Sequence, residues 1–310
     1  MKTARWLLMG LLSEAEKHKM MHKLTSENKQ YVDSLDENQK KVLKQQIDTT
    51  RSTFDPSKSG SNTQSTEFVK TGIEGFDKLM ENGIPKGSSS LVCGGPGSGK
   101  TIFCLQSLFH GVQNGEKCLY MSVEEKEDRL RAHMHDFGWN PEGYEEKALL
   151  TIKRYDPFEL TRSVEALMEK SKGELLIDVA PVIFPEGLNP DRVIIDSLSS
   201  IAAAFSKEES YRTYIEQLFK LFEKLNVNSF FISEIVEDKL DKGGAAVEQF
   251  LADNVIIIYN IKKQNVRESA IEILKMRGTQ FQKRIVAMQI LNGVGAVVYP
   301  EQEVYGGTDI

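Results

Sequence analysis

Cysteine is scarce in this chain, and the three residues present, Cys93, Cys104 and Cys118, form no Cys-x-x-Cys pair. That excludes a disulfide scaffold and a zinc ribbon. Lying in predicted core elements, they read as small buried hydrophobes of a reducing cytoplasm, the expected location. No apolar run approaches the length that spans a bilayer, so no membrane association is expected. Trp6 to Leu12 follow Lys2 and Arg5, but this apolar stretch is too short for a signal peptide. Ser13-Glu14-Ala15-Glu16-Lys17 stands where a small-residue cleavage site belongs. Positive charge is also lacking: the formal net charge is −6, which gives no electrostatic footprint for tight nucleic-acid binding. Histidine is rare. His18 and His22 can share a helix face, yet they sit among Lys17, Lys19 and Lys23 with no acid or thiol beside them, and read as solvated rather than metal-binding.

What remains is a chain of 310 residues, 40% hydrophobic, with enough apolar material for a large core. Two regions differ in character. Residues 1–65 are polar and charged. Ser34-Leu35-Asp36-Glu37 fits a capping box opening a short helix through Val42, Leu43 and Ile47. The Ser/Gly/Asn-rich stretch 57–65 reads as a linker. A small helical and flexible N-terminal extension, 1–65, is therefore expected before a domain spanning 66–310. The extension is either a docking arm for a protein partner or unstructured.

From Phe68 onward, apolar runs alternate with amphipathic stretches, the signature of an α/β fold. Strands are expected at 89–93, 117–123, 149–153, 192–196, 227–233, 254–259, 270–275 and 285–290. Helices are expected at 101–114, 126–137, 157–172 and 208–224. The last strands follow one another without helices, so a mostly parallel twisted sheet, covered by helices on both faces, should end in antiparallel strands.

Gly94-Gly95-Pro96-Gly97-Ser98-Gly99-Lys100-Thr101 is a complete phosphate-binding loop between an expected strand and an expected helix. Glycines let backbone amides form a concave nest for phosphate oxygens. The helix start at Lys100, Thr101 and Ile102 adds unpaired N–H groups and the positive end of the dipole. Lys100 is suited to the outer phosphates and the Thr101 hydroxyl to Mg²⁺. A nucleoside triphosphate, ATP, and Mg²⁺ are the expected ligands.

Hydrolysis needs more than the loop. Asp196 ends the apolar run Arg192-Val193-Ile194-Ile195, where the carboxyl ends of buried strands meet ligands. It is the candidate to orient Mg²⁺, with an ordinary helix cap as the competing reading. Glu124 and Glu125 follow another core strand. One carboxylate can face the nucleotide and align water while the other supports it, or both can simply begin a helix, where acids suit the dipole. The residues alone do not separate these.

A resemblance does. Thr71-Gly72-Ile73-Glu74-Gly75-Phe76-Asp77, Asn82-Gly83-Ile84-Pro85-Lys86-Gly87, the phosphate loop, Glu124-Glu125, Phe137-Gly138-Trp139, Asp196-Ser197 and Ser233-Glu234 occur in order. Val247-Glu248-Gln249-Phe250-Leu251-Ala252-Asp253-Asn254-Val255 and Lys275-Met276-Arg277-Gly278-Thr279 complete the series. From Thr71 to the end, this resembles a single KaiC-type domain of the RecA-like ATPases. The resemblance implies a RecA-like core, ATP hydrolysis with Glu124 and Glu125 as catalytic glutamates, and nucleotide contacts from Gly95, Pro96, Gly97, Ser98, Gly99, Lys100, Thr101 and Ile102. It places Asp136 near the nucleotide. It also implies that Lys275, Met276, Arg277 and Thr279 reach the nucleotide of a neighbouring subunit in a head-to-tail homo-oligomer, a hexameric ring. Two cations there would neutralise charge spreading over the γ-phosphate.

The chain departs from the family at Phe281, where histidine is frequent. It departs again at Gln249 and Phe250, where clock-type second domains carry the hydroxyls they phosphorylate. Autokinase activity at that place is excluded for want of a hydroxyl. Two other functions compete with ring ATPase. One is a RecA-like DNA repair factor, disfavoured because Lys239 and Lys242 before the loop at 243–246 are balanced by Asp238 and Asp241. The other is a slow-turnover, nucleotide-gated scaffold.

Overall fold

Strands buried on both faces are apolar along their length, whereas strands with one wet face alternate. Both kinds occur here, separated along a single sheet. The structure, a computed structural model, describes residues 67–170, 188–234, 247–263 and 265–304. The helix expected after Ser34, the linker and boundary at residue 65, His18 and His22, the loop at 243–246 and the last two residues of the expected helix 157–172 lie outside the described residues.

In chain order the strands are β1 (Phe68–Val69), β2 (Ile84–Pro85), β3 (Ser89–Gly94), β4 (Cys118–Ser122), β5 (Leu150–Arg154) and β6 (Arg192–Asp196). They continue as β7 (Asn228–Ser233), β8 (Asn254–Lys263), β9 (Val266–Met276), β10 (Val286–Leu291) and β11 (Gly295–Glu303). The helices are α1 (Lys100–Gln113), α2 (Glu127–Asp136), α3 (Glu142–Glu145), α4 (Pro157–Lys170), α5 (Leu198–Ala204), α6 (Glu208–Lys224) and α7 (Val247–Leu251). Strands β1 and β2 form a small antiparallel ribbon. The other nine make one sheet in the order β11-β10-β9-β8-β3-β7-β6-β4-β5. From β8 to β5 the neighbours are parallel, and β9, β10 and β11 join antiparallel.

The parallel centre matches the expected fold: β3, β4, β6 and β7 are buried at every residue. Alternate residues feed two cores. Val92, Tyr120, Ile194, Phe230 and Ile256 meet Phe103, Leu108 and Leu130 of α1 and α2. Leu91, Leu119, Val193, Phe231 and Val255 meet Leu160, Ile201, Tyr214 and Leu218 of α4, α5 and α6. Each such side chain contributes roughly 1.5–3 kcal/mol on burial, so helices on both faces follow from the strand pattern.

Two polar anchors fix this frame. The Asp77 carboxylate accepts from Thr71 N (2.9 Å), Thr71 Oγ1 (2.8 Å) and Gly72 N (2.9 Å), so the Thr71–Asp77 motif is a structural clasp. Arg192, with none of its surface exposed, pairs in two-pronged fashion with Glu116, each contact 2.8 Å, and donates to Ser107 O (2.6 Å), Ser107 Oγ (2.8 Å) and Lys70 O (3.2 Å). A buried guanidinium persists only when paired this way.

Candidate active site

The parallel strands β3, β4 and β6 end together, and the loops leaving them carry the phosphate loop, the glutamate pair and Asp196. Gly97 and Gly99 have φ of 72° and 100°, a region open to glycine at no steric penalty. A Cβ added at Gly95 or Gly97 would meet nothing within 4 Å, so this side of the loop is an open cradle. The helical bond from Phe103 N to Gly99 O, 2.9 Å, leaves the amides of Lys100, Thr101 and Ile102 at the free start of α1. Lys100 is buried, and its Nζ donates to Gly94 O (2.9 Å) and Gly95 O (3.0 Å), which holds the ammonium over the loop. Ser98 Oγ is buried without a hydrogen-bond partner among the described residues, and Pro96 lies exposed on the rim.

Asp196 stands opposite. Its Oδ2 accepts from Thr101 Oγ1 (3.0 Å) and from Tyr120 OH (2.6 Å). Burial pushes its carboxyl up to about 6, and the Glu124 charge adds to this, while the Tyr120 and Thr101 hydrogen bonds act the other way. A hydroxyl and a buried carboxylate sharing one point are hard oxygen donors of the kind Mg²⁺ takes, usually with several waters kept. The residues therefore fit the expected cation. Tyr120 was not anticipated from sequence. Burial, then the Asp196 charge, raises its phenol well above the ordinary value, so it remains a donor. Asp196 is not a helix cap: the next residue, Ser197, caps α5, its Oγ accepting from Ser200 N at 3.3 Å.

The two glutamates diverge. Both backbone amides are fixed by Ser122 Oγ, at 3.3 Å for Glu124 and 2.9 Å for Glu125. Glu125 then turns to α2, where its Oε2 meets His133 Nε2 (3.1 Å) and Arg129 Nε (3.3 Å). Glu124 turns to the end of β6. Its Oε1 accepts from Ser200 Oγ at 2.7 Å and from Ser197 Oγ.

The remaining expected residues are elsewhere. Asp136 is exposed at the last residue of α2, about one turn beyond His133, the residue that meets Glu125. Arg277 N donates to Asp253 O (3.2 Å), and Asp253 N to Ser89 O (3.0 Å), at the start of β3. The phosphate loop leaves the other end of β3, five residues on, about 16 Å away. Within one chain, then, Lys275, Arg277 and Thr279 do not join the phosphate cluster. Arg277 is 59% exposed and pairs with Asp253 Oδ1 at 3.2 Å. Lys275 Nζ is engaged by three carbonyls at the end of α7, Gln249 (3.2 Å), Phe250 (3.3 Å) and Ala252 (2.5 Å). Burial, then Arg277, lowers its pKa. The Met276 side chain is in the core, so its backbone alone is left for a ligand.

A model of the ATPase family described as KaiC matches residues 69–303. The circadian clock protein KaiC3 of Synechocystis is 33% identical over 238 residues, covering 77% of this chain and 46% of that protein. The chain thus spans about half the length of that relative. A UPF0273 protein of Pyrococcus horikoshii is 31% identical over 242 residues, 76% of this chain and 96% of that one. The crystal structure of a KaiC-like protein from Pyrococcus horikoshii OT3 superposes with a TM-score of 0.62 at 30% identity, covering 76% of this chain and all of the other.

Proposed function

We propose, from the premise that this chain belongs to the KaiC family of ATPases, that it hydrolyses MgATP with Glu124 as the water-activating base. Arg277 of one copy would complete the phosphate site of the next in a ring, for which we propose six members, the number the family resemblance implies. The observation that carries the hydrolytic reading is the convergence of Lys100, Thr101, Asp196 and Glu124 at the carboxyl ends of β3, β4 and β6.

In this reading the open cradle and the amides of Lys100, Thr101 and Ile102 bind the phosphates, and Lys100 neutralises the outer ones. Thr101 and Asp196 would hold Mg²⁺, which when bound would compensate the charge of the outer phosphates. Glu124, held at one oxygen, offers the other to a water in line with the γ-phosphate and takes its proton. Glu125 supports the turn by tying it to Arg129 and His133 of α2.

Head-to-tail assembly is supported by the separation of the two half-sites. The exposed Arg277 lies at the opposite end of the sheet from the loop, so a heterologous contact would bring it to the neighbour's phosphates and closure would give a ring. Lys275 would have to leave its three carbonyls to act likewise, which makes Arg277 the principal trans cation. Residues 1–65 carry none of these motifs, and their proposed role is contact with a protein partner.

Glu124→Gln should retain MgATP affinity and lose about 10²–10⁴ in turnover, the usual worth of a general base. Glu125→Gln should lose far less. Titration calorimetry with a phosphate-release assay checks both, and wild-type turnover in Glu124→Gln would remove Glu124 from the chemistry.

A further inference from the structure

Two hydroxyls with no assigned role touch Glu124. Ser197 Oγ and Ser200 Oγ, at 2.7 Å for the latter, both donate to Glu124 Oε1. Among the described residues both bonds fall on this one oxygen, which leaves Oε2 for a water. The two serines reach the same atom because of local helix geometry. Ser197 is the N-cap of α5, and Ser200 is the third helical residue, its amide bonded back to Ser197 Oγ at 3.3 Å. The first turn of α5 therefore presents two hydroxyls side by side, and the residue just before it is Asp196.

We infer that Ser200, with Ser197, is a positioning residue that clamps Glu124 in the orientation hydrolysis requires. This rests on Glu124 being the base. The physical reason is that Glu124 is exposed at a strand end, and a free glutamate has three rotatable bonds to immobilise. Charge-assisted hydrogen bonds to one carboxylate oxygen remove that freedom without occupying the oxygen that accepts the proton. The clamp also makes one rigid unit of the turn that carries Asp196 and the carboxylate that faces water. Glu125 is held as well, by Arg129 and His133 at its Oε2, but these belong to α2 and tie it to that helix and not to the turn that carries Asp196.

Ser200 is the member to perturb, because Ser197 is buried and caps the helix as well. With full-length protein, Ser200→Ala should lower kcat for ATP roughly tenfold, the rate equivalent of a modest positioning loss, with KM for ATP and thermal melting unchanged. Ser200→Thr, which keeps the hydroxyl, should restore kcat to within about twofold of wild type, a few tenths of a kcal/mol. Added to Glu124→Gln, Ser200→Ala should cause no further loss, since there is no base left to orient. The inference is overturned by a wild-type kcat in Ser200→Ala, by an equal loss in Ser200→Thr, or by a loss that multiplies with that of Glu124→Gln. If Glu124→Gln itself turns over normally, the base assignment falls and the clamp with it. If Glu124→Gln is inactive and Ser200→Ala is not, the clamp alone fails.

Discussion

Asp196→Asn should stabilise the metal-free protein even as it disables it. Asp196 is buried, and its carboxyl is raised from 3.8 to about 6. The folded state therefore holds this proton more tightly than the unfolded chain does. The contribution to stability is fully present below pH 3.8 and is lost as pH rises through about 6. At 1.36 kcal/mol per unit, the ionised carboxylate weighs about 3 kcal/mol against the metal-free fold at pH 8. Asparagine removes the charge and keeps an oxygen to accept from Tyr120 OH and Thr101 Oγ1. Those bonds become neutral and weaker, and the new amide N–H₂ needs partners of its own, so a net gain of about 1–2 kcal/mol is expected. Urea unfolding in EDTA at pH 8 and pH 4.5 measures it: the variant should lead at pH 8, and the gap should shift by about 2 kcal/mol to vanish or reverse at pH 4.5. MgATP should reverse the order at pH 8, because Asp196 then has a counter-charge that asparagine cannot use. A variant that is less stable at pH 8, or a gap that ignores pH, would refute the claim that burial of this carboxylate is stored against ligand binding.

Arg277→Ala and Lys100→Ala proteins should each be nearly inactive, and mixing them should recover part of the activity, because some interfaces then pair an intact loop with an intact Arg277. A trans arginine is worth roughly 10³–10⁵ in rate, so recovery is measurable in a phosphate-release assay, and none after subunit exchange would exclude action in trans. Glu116→Ala should destabilise the fold by about 3 kcal/mol in chemical denaturation, since it strands the buried Arg192; a change below about 0.5 kcal/mol would mean that Ser107 and Lys70 suffice.

All eight expected strands are present because the driving signal, continuous apolar runs bounded by turns, is local. The same locality explains what escaped. Strand β11 contains Pro300 and ends in Glu301-Gln302-Glu303, a composition that argues against a strand. It is tolerated because β11 is a sheet edge with a register irregularity, where a missing N–H is harmless. The hairpin of β8 and β9 outruns expectation because its end pairs polar residues, Lys262 with Arg267 and Asn260 with Ser269, which blurs the apolar pattern. Helix α5, only seven residues long, fell below what periodicity reveals, yet it carries Ser200. A serine directly after Asp196, with Leu198 and Ile201 behind it, was the available sign of its cap.

In the site, motif spacing pointed to the phosphate loop and Asp196, and a family resemblance to the glutamate pair; each sits at the end of its own strand, and parallel order brings those ends together. Spacing is blind to direction beyond that point. Glu124 and Glu125 are adjacent in sequence, yet one meets two serines from β6–α5 and the other meets Arg129 and His133 from α2. The distinction depends on which element lies on either side of β4, a property of strand order and not of the dipeptide. The same reasoning applies at larger scale to Arg277. An antiparallel strand beside β8 necessarily delivers its carboxyl end to the amino end of β3, away from the loop. A cation needed at the phosphates and attached to that strand has one geometrically available route, from another copy of the chain, and this is why the activity should depend on protein concentration wherever assembly does.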